Sequence, residues 1–308
     1  MLKKVMITGA TGFIGLHLVK KLNAMNVSII AIVRPNSQNV GKLLELSNVE
    51  VIECEMSQIC SISERIRYRD VDACFHLAWE GSSGDARNNY ELQMNNVKYS
   101  VECMKVASKI RVKRFISIGT IAERLIENID NADDISVNAM YAISKDYTHK
   151  LLNALSKQMG IEFVWCRLTN IYGPGDYTAN LVNYTITKLL KGEETEYSNG
   201  DGFCNMIYID DCVEILALIA NEEKVKRHTY FIGGSEIENV RYFIEKIKNC
   251  IDENIELGWG KRGKDGILYK KEWLLATDLK KDFDYIARTK FEDGIQKTIL
   301  DVKERYNE

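Results

Sequence analysis

The sequence predicts an α/β protein: a doubly wound parallel sheet carrying a smaller C-terminal mixed α/β domain. Three observations support this. Short apolar runs alternate with amphipathic stretches through the first half, the pattern of right-handed βαβ units. A glycine-rich turn, GATGFIG at residues 9–15, follows the first apolar run directly and opens an amphipathic stretch. After Gly173-Pro174-Gly175 the alternation gives way to shorter, mixed segments.

In chain order, KKVMITG reads as a strand, and FIGLHLVKKLNAM carries apolar residues at helical spacing. VSIIAIVRP is a second strand, ended by Pro35, which has no N–H to donate to a ladder. VEVIECEM is the third and VDACFHLAW the fourth. A long helix over NNYELQMNNVKYSVECMKVASKI leads to the strand KRFISIGT. The helix MYAISKDYTHKLLNALSKQM and the strand EFVWCRLTNIYG complete this half. Beyond it, LVNYTITKLLKGE, EYSNGDGF, IYIDDCVEILALIA and HTYFIGG give mixed elements, and the last 60 residues lack regular alternation. A boundary near residue 174 separates 1–174 from 175–308, with later segments free to return to the first sheet.

Composition narrows the classes of function. A net charge of −3, with 28% charged and 45% hydrophobic residues, is that of an ordinary globular protein without a general pull towards nucleic acid. The basic run RIRYRD reads as a solvated helix face. There is no uninterrupted apolar run of membrane-spanning length. The N-terminus MLKKVMITGA lacks the apolar core of a signal peptide, so the mature chain is expected to begin here. Eight cysteines without a C-x-x-C pair read as reduced core residues of a cytoplasmic protein. Histidines 17, 76, 149 and 228 have no metal-ligand spacing, so no metal is expected.

The strand–GATGFIG–helix context is what a dinucleotide site demands. Glycines permit the tight turn and the approach of backbone N–H groups to a pyrophosphate resting at the helix N-terminus. The spacing is Gly-x-x-Gly-x-x-Gly. Together with HLA at 76–78, YAISK at 141–145, NIYGPG at 170–175 and IYIDD at 207–211, it makes the chain resemble the extended short-chain dehydrogenase/reductases. These are the NAD-dependent epimerase/dehydratase family, acting on nucleotide sugars. The resemblance runs over nearly the whole chain and is strongest in residues 5–175. It implies a Rossmann-type dinucleotide-binding domain over 1–174 and a substrate-binding domain over 175–308. Gly9, Thr11, Gly12, Phe13, Ile14 and Gly15 would meet the dinucleotide, with Leu77 and Ala78 after the fourth strand and Asn96 behind the active site.

Tyr-x-x-x-Lys occurs three times, at Tyr141/Lys145, Tyr184/Lys188 and Tyr242/Lys246. The pattern is cheap, with about one match expected by chance in this composition. Tyr141/Lys145 lies on the helix after FISIGT, where the resemblance places a catalytic pair, and i,i+4 spacing puts both on one helical face. The other two pairs read as surface residues. By the resemblance, Lys145 holds the nicotinamide ribose and its charge favours the phenolate, so Tyr141 can trade a proton near neutral pH. Hydride passes between the nicotinamide and a sugar carbon. The family's Ser or Thr partner falls on Ile118, which has no hydroxyl. Of the flanking Ser117 and Thr120, Ser117 is expected to point away, leaving Thr120 as the preferred substitute.

The second strand ends in AIVRPNSQ, without the carboxylate that binds ribose hydroxyls in NAD sites. Arg34 with Ser37 suits a 2′-phosphate, favouring NADP(H). NAD(H) is the alternative, if Arg34 only stacks on adenine. Glu55 matches the family's acid near the adenine. The dehydratases' Asp-Glu pair corresponds to Gly119 and Thr120, so 4,6-dehydration is not expected. The function expected is reduction of a 4-keto nucleotide sugar. The alternatives are a nucleotide-sugar epimerase with tightly bound NAD and a non-catalytic NADP(H) sensor. Asn170 and Tyr172 match family positions near the sugar, and Trp79, Glu80 and Ser82 are placed to line the pocket. The position of the family's diphosphate-binding Arg falls on Cys204, with Arg241, Lys261 or Arg262 as candidate substitutes. Relatives suggest a homodimer through helices around 90–109 and 141–159, although Leu92, Val97 and Val101 suit a monomer core equally.

Overall fold

Val5, Met6 and Ile7 are wholly buried in β1 (Lys4–Thr8), as the unbroken apolar run of a strand covered on both faces requires. The computed structural model describes residues 1–127, 139–263 and 269–307. After β1 come α1 (Phe13–Ala24), β2 (Ser28–Val33), α2 (Val40–Leu44), β3 (Val49–Glu53), α3 (Ile62–Arg65) and β4 (Ala73–His76). They are followed by α4 (Tyr90–Lys109), β5 (Arg114–Thr120), α5 (Glu123–Glu127), α6 (Met140–Met159) and β6 (Glu162–Leu168). The later elements are β7 (Asn170–Tyr172), α7 (Leu181–Leu190), β8 (Phe203–Tyr208), α8 (Ile209–Asn221) and β9 (Thr229–Ile232). The chain ends through β10 (Ile237–Asn239), α9 (Val240–Ile251), α10 (Thr277–Phe283) and α11 (Phe291–Asn307).

The large sheet has seven strands in the order β3-β2-β1-β4-β5-β6-β9. β1 pairs in parallel with β2 on one side and β4 on the other, and β2–β3 and β4–β5 are parallel as well. The chain thus winds outward in both directions from β1. The crevice beyond the carboxyl ends of β1 and β4 is the switch point at which such sheets bind ligands. One core cluster joins Met6 and Ile30 of the sheet to Cys103 and Met104 of α4 and to Phe115, Phe163 and Trp165. Its aromatic members, Phe115 of β5 and Phe163 and Trp165 of β6, are wholly or almost wholly buried.

The compact units comprise Met1–Arg167 with Val213–Tyr230, and Leu168–Cys212 with Phe231–Glu308. They part ahead of the boundary expected near residue 174, because EFVWCRLTNIYG is two strands rather than one. β6 belongs to the seven-stranded sheet, whereas β7 pairs with β8 in a three-stranded sheet of order β10-β8-β7. That small sheet is mixed, since β10 runs antiparallel to β8. HTYFIGG returns to the large sheet as β9.

The basic run is corrected by the structure. Only Arg65 is helical, at the end of α3, and residues 66–70 are irregular. Arg69 spends its guanidinium on the carbonyls of Ile66 and Tyr68, and Lys4 covers the Tyr68 ring. Local backbone satisfaction, not a charged helical face, accounts for these residues. All eight cysteines are free thiols. Among the described residues no helix is long and apolar enough to cross a membrane, and no cluster of three His, Cys, Asp or Glu could hold a metal ion.

Candidate active site

The turn after β1 is shaped by what cannot fit in it. Gly9 has φ +70°, and a Cβ there would lie 2.8 Å from the Ala78 nitrogen. A Cβ on Gly15 would lie 2.1 Å from the Gly9 carbonyl oxygen. Backbone therefore approaches backbone where β1 and β4 diverge. Gly12 is the extended N-cap of α1, and no side chain caps the helix, so its first N–H groups face outward for an anion. The crevice wall is braced from behind. Thr8 Oγ1 lies 2.8 Å from His76 Nδ1, and His76 Nε2 lies 2.9 Å from Ser100 Oγ. Asn96 clamps the main chain of Glu80, accepting from its N–H and donating to its carbonyl.

A groove of about 450 Å³ runs along this crevice, lined by Gly9, Thr11, Gly12, Arg34, Glu55, Leu77, Ala78, Trp79 and Asn96 among others. Phe13 and Ile14 are half-buried at the start of α1. Ser37 donates to Thr11 Oγ1 at 2.8 Å, and Asn39 donates to the Thr11 carbonyl at 3.1 Å. These bonds hold the loop after β2 against the glycine turn, with Arg34 exposed between them. Eight sequence-predicted cofactor residues, Gly9, Thr11, Gly12, Arg34, Glu55, Leu77, Ala78 and Asn96, thus line one groove. The cradle fits a dinucleotide: glycines where a Cβ would intrude, an uncapped helix start, and polar groups at the far end.

At the other end stand Tyr141 and Lys145 on α6, 8% and 4% exposed. Lys145 Nζ donates to the Ile118 carbonyl at 2.8 Å and lies 3.6 Å from the Trp79 ring centroid. Ile118 has no hydroxyl, yet its main chain anchors Lys145. Burial pulls the Lys145 ammonium down to about 7, against the opposing pull of Glu123. Trp79 meets the Tyr141 ring edge-on at 6.2 Å, and the Arg87 guanidinium carbon lies 4.5 Å from that ring's centroid. Thr120 is the last residue of β5, not beyond its end, and its Oγ1 accepts from the Ala122 N–H at 3.3 Å. Ser117 is buried.

The other Tyr-x-x-x-Lys pairs differ physically. Tyr184 accepts from the Glu196 N–H while Lys188 pairs with Glu193. Tyr242 donates to Glu236, and Lys246 pairs with Glu292. Each of these lysines spends its charge on a neighbouring carboxylate. Lys145 is instead buried, tied to a carbonyl, and faces an aromatic ring.

Sequence reasoning missed the carboxylate behind this pair. Glu123 is fully buried and accepts from the Thr120 N–H at 2.6 Å, Trp165 Nε1 at 2.9 Å and Arg167 Nε at 2.7 Å. Burial raises its carboxyl above the usual range, with Arg167 opposing. His149 stacks on Trp165 at 5.0 Å, and burial, helped by Arg167, drops its imidazole to about 4, so it is neutral at pH 7. The available signal was an acid three residues after Thr120, at the turn leaving a strand.

In the second unit, Asn170 is exposed at the start of β7 and donates to the Asn205 carbonyl at 3.3 Å. Tyr172 is 2% exposed, and its hydroxyl donates to the Phe291 carbonyl. Its ring packs against Tyr208 and Phe291, and burial pushes its phenol well above the ordinary range. Its side chain therefore serves packing. Cys204 is buried in β8, its thiol pushed up to about 12 by burial. Arg241 donates to the Asn199 carbonyl and stacks on Trp259, and Lys261 pairs with Glu194. Ser82 is exposed in the loop after Gly81, in the first unit.

A model of the NAD dependent epimerase/dehydratase family matches residues 5–233. The chain belongs to this family. It is similar to the trifunctional UDP-glucose 4,6-dehydratase/UDP-4-keto-6-deoxy-D-glucose 3,5-epimerase/UDP-4-keto-L-rhamnose-reductase RHM1 of Arabidopsis thaliana, at 22% identity over 96% of this chain. The match covers 46% of that protein, so the chain spans about half its length. CDP-abequose synthase of Salmonella typhimurium is 26% identical over 80% of each chain. Among solved structures, the UDP-glucose 4-epimerase of Thermotoga maritima with UDP-glucose superposes with a TM-score of 0.82. It is 23% identical, with 98% of this chain and 99% of that one covered. At that identity the likeness is one of fold. As a member of the epimerase/dehydratase family, the chain has the extended short-chain dehydrogenase architecture, with a groove at the β1–β4 switch point.

Proposed function

We propose that the chain is a nucleotide-sugar oxidoreductase that reduces a 4-keto group with NADPH, using Tyr141 as proton donor. The observation that carries this reading is the buried Tyr141/Lys145 pair, with Lys145 tied to the Ile118 carbonyl beside Trp79 and the groove. When bound, the dinucleotide supplies the hydride. Tyr141 gives its phenolic proton to the keto oxygen as the carbonyl π pair moves onto that oxygen. Lys145 stabilises the phenolate left behind, and solvent restores the proton. An ammonium has three donors, and the Ile118 carbonyl takes one. The others are available to ribose hydroxyls. Thr120 is the hydroxyl assigned to the substrate oxygen. Asn170, Trp79 and Ser82 are assigned to the sugar.

Arg34, Ser37 and Asn39 favour a 2′-phosphate, since the end of β2 offers a cation and no carboxylate. A second reading is an epimerase that keeps NAD bound. Glu55, which lines the same groove as Arg34, favours it, because an acid there can accept from ribose hydroxyls. A homodimer joined through α4 and α6 belongs to either reading. Tyr90 and Met94 of α4 and Tyr147 of α6 are large exposed side chains on those helices, and sedimentation checks it.

The test begins by denaturing freshly purified protein and identifying any released dinucleotide by mass spectrometry. Little or no dinucleotide, or NADP(H), is expected, followed by NADPH oxidation on 4-keto nucleotide sugars that Tyr141→Phe abolishes. Stoichiometric NAD would replace the reductase by the epimerase. Tight NADPH binding without turnover on any keto-sugar would turn the reading to a sensor.

A further inference from the structure

The guanidinium stacked on the Tyr141 ring has no place in the mechanism above, and the loop that carries it is closely built. Arg87 lies in the 3₁₀ turn Gly84–Asn88, half-buried. Among the described residues no carboxylate forms an ion pair with it. The guanidinium carbon lies over the Tyr141 ring, 4.5 Å from its centroid. That is the geometry of a cation over an aromatic face.

The placement is enforced from α4. Gln93 is fully buried, accepts from Trp79 Nε1 at 2.9 Å, and donates to the carbonyls of Gly81 at 2.8 Å and Ala86 at 3.1 Å. One side chain thus fixes Trp79 against the catalytic pair and pins the residue immediately before Arg87. Gly81 closes the loop at φ +69°, where a Cβ would lie 2.6 Å from Leu92 Cδ2 and 2.9 Å from the Ala86 oxygen. A surface arginine on a free loop has no such support.

We propose that Arg87 is a positioning residue for proton transfer: stacked on Tyr141, it orients the phenol and stabilises its phenolate form. This rests on the reading of Tyr141 as the proton donor. Position 118 carries no hydroxyl to share that duty, which gives the extra cation its use. Among the described residues, the charged groups placed near the phenol are Arg87 from the 3₁₀ turn, Lys145 one turn along α6 and, behind Lys145, Glu123 of α5. From α4 the group reaching this loop is the uncharged Gln93. With Arg87 over the ring, losing it removes positive charge that favours the phenolate.

The test needs no substrate. Phenolate absorbance is titrated in the full-length chain, and subtracting the Tyr141→Phe curve isolates Tyr141. The expected result is that Arg87→Gln moves the Tyr141 midpoint to higher pH, while Arg87→Lys, which keeps the charge without the planar fork, restores most of the shift. An unchanged midpoint in Arg87→Gln overturns the proposal, even if the melting temperature falls, because a purely structural arginine would alter stability alone. If glutamine at 87 prevents folding, Arg87→Met is read in the same way. Turnover by Tyr141→Phe would instead remove the proton-donor reading, which the titration does not measure.

Discussion

The Lys145 ammonium lies against the face of Trp79, 3.6 Å from the ring centroid, while its hydrogen bond runs to the Ile118 carbonyl. The lysine is thus held by a ring and a carbonyl rather than by a carboxylate, which leaves its charge available to a ligand. A cation over an indole contributes about 0.5–2 kcal/mol. Trp79→Ala should therefore weaken NADPH binding by about two- to thirtyfold, with Trp79→Phe recovering most of it, as read by isothermal titration calorimetry. Equal affinities would mean that Lys145 needs no aromatic support.

Burial of Lys145 makes stability depend on pH in a definite direction. Its folded value of about 7 lies below the ordinary 10.5, so between these two the unfolded chain binds more protons. Stability from this group therefore rises as pH increases across that window and is flat below it. Lys145→Met should raise the melting temperature at pH 7, and the gain should fade as pH approaches 10. A gain that stays constant with pH would show that Lys145 is not desolvated.

Glu123 and Arg167 form a buried pair at 2.7 Å with 0% and 5% of their side chains exposed. Breaking one side of a buried pair costs up to about 3–5 kcal/mol, lowered here by the second pairing of Arg167 with Glu127, although an apolar replacement of both can be neutral. Glu123→Leu should lose stability on that scale in urea unfolding, and Glu123→Leu/Arg167→Met should regain much of it. Additive losses in the double variant would refute the coupling.

Two glycines make opposite predictions. Gly15→Ala should destabilise the chain and abolish dinucleotide binding, since the new methyl would collide with the Gly9 carbonyl. Gly41, in α2 with nothing within 4 Å of its Cβ position, should tolerate alanine. There stability in urea unfolding should hold or rise by roughly 0.4–1 kcal/mol from the backbone freedom removed in the unfolded chain.

Arg34 sits exposed at the end of β2, beside Ser37 and Asn39. Arg34→Ala should weaken NADPH binding by about 10–100-fold, the worth of a charge-assisted contact to phosphate, and leave NADH nearly unchanged. Equal losses for both cofactors would make Arg34 an adenine-stacking residue.

The strands of the large sheet from β1 to β6, the glycine turn and the YAISK helix were all legible as local pattern. Apolar runs, a turn that only glycine can make, and i,i+4 spacing are properties of neighbouring residues. Contacts between residues remote in sequence settled the rest. Nothing within EFVWCRLTNIYG marks the break at Thr169, because it depends on β7 finding β8. Three Tyr-x-x-x-Lys pairs are equivalent as strings, and folding distinguishes them by burying Lys145 while giving Lys188 and Lys246 carboxylate partners. Glu123, Gln93 and Arg87 carried no motif at all. Their meaning comes from where α4, α5 and the 3₁₀ turn set them down around Tyr141 and Lys145, and a side chain's charge gains force only when packing removes the water around it.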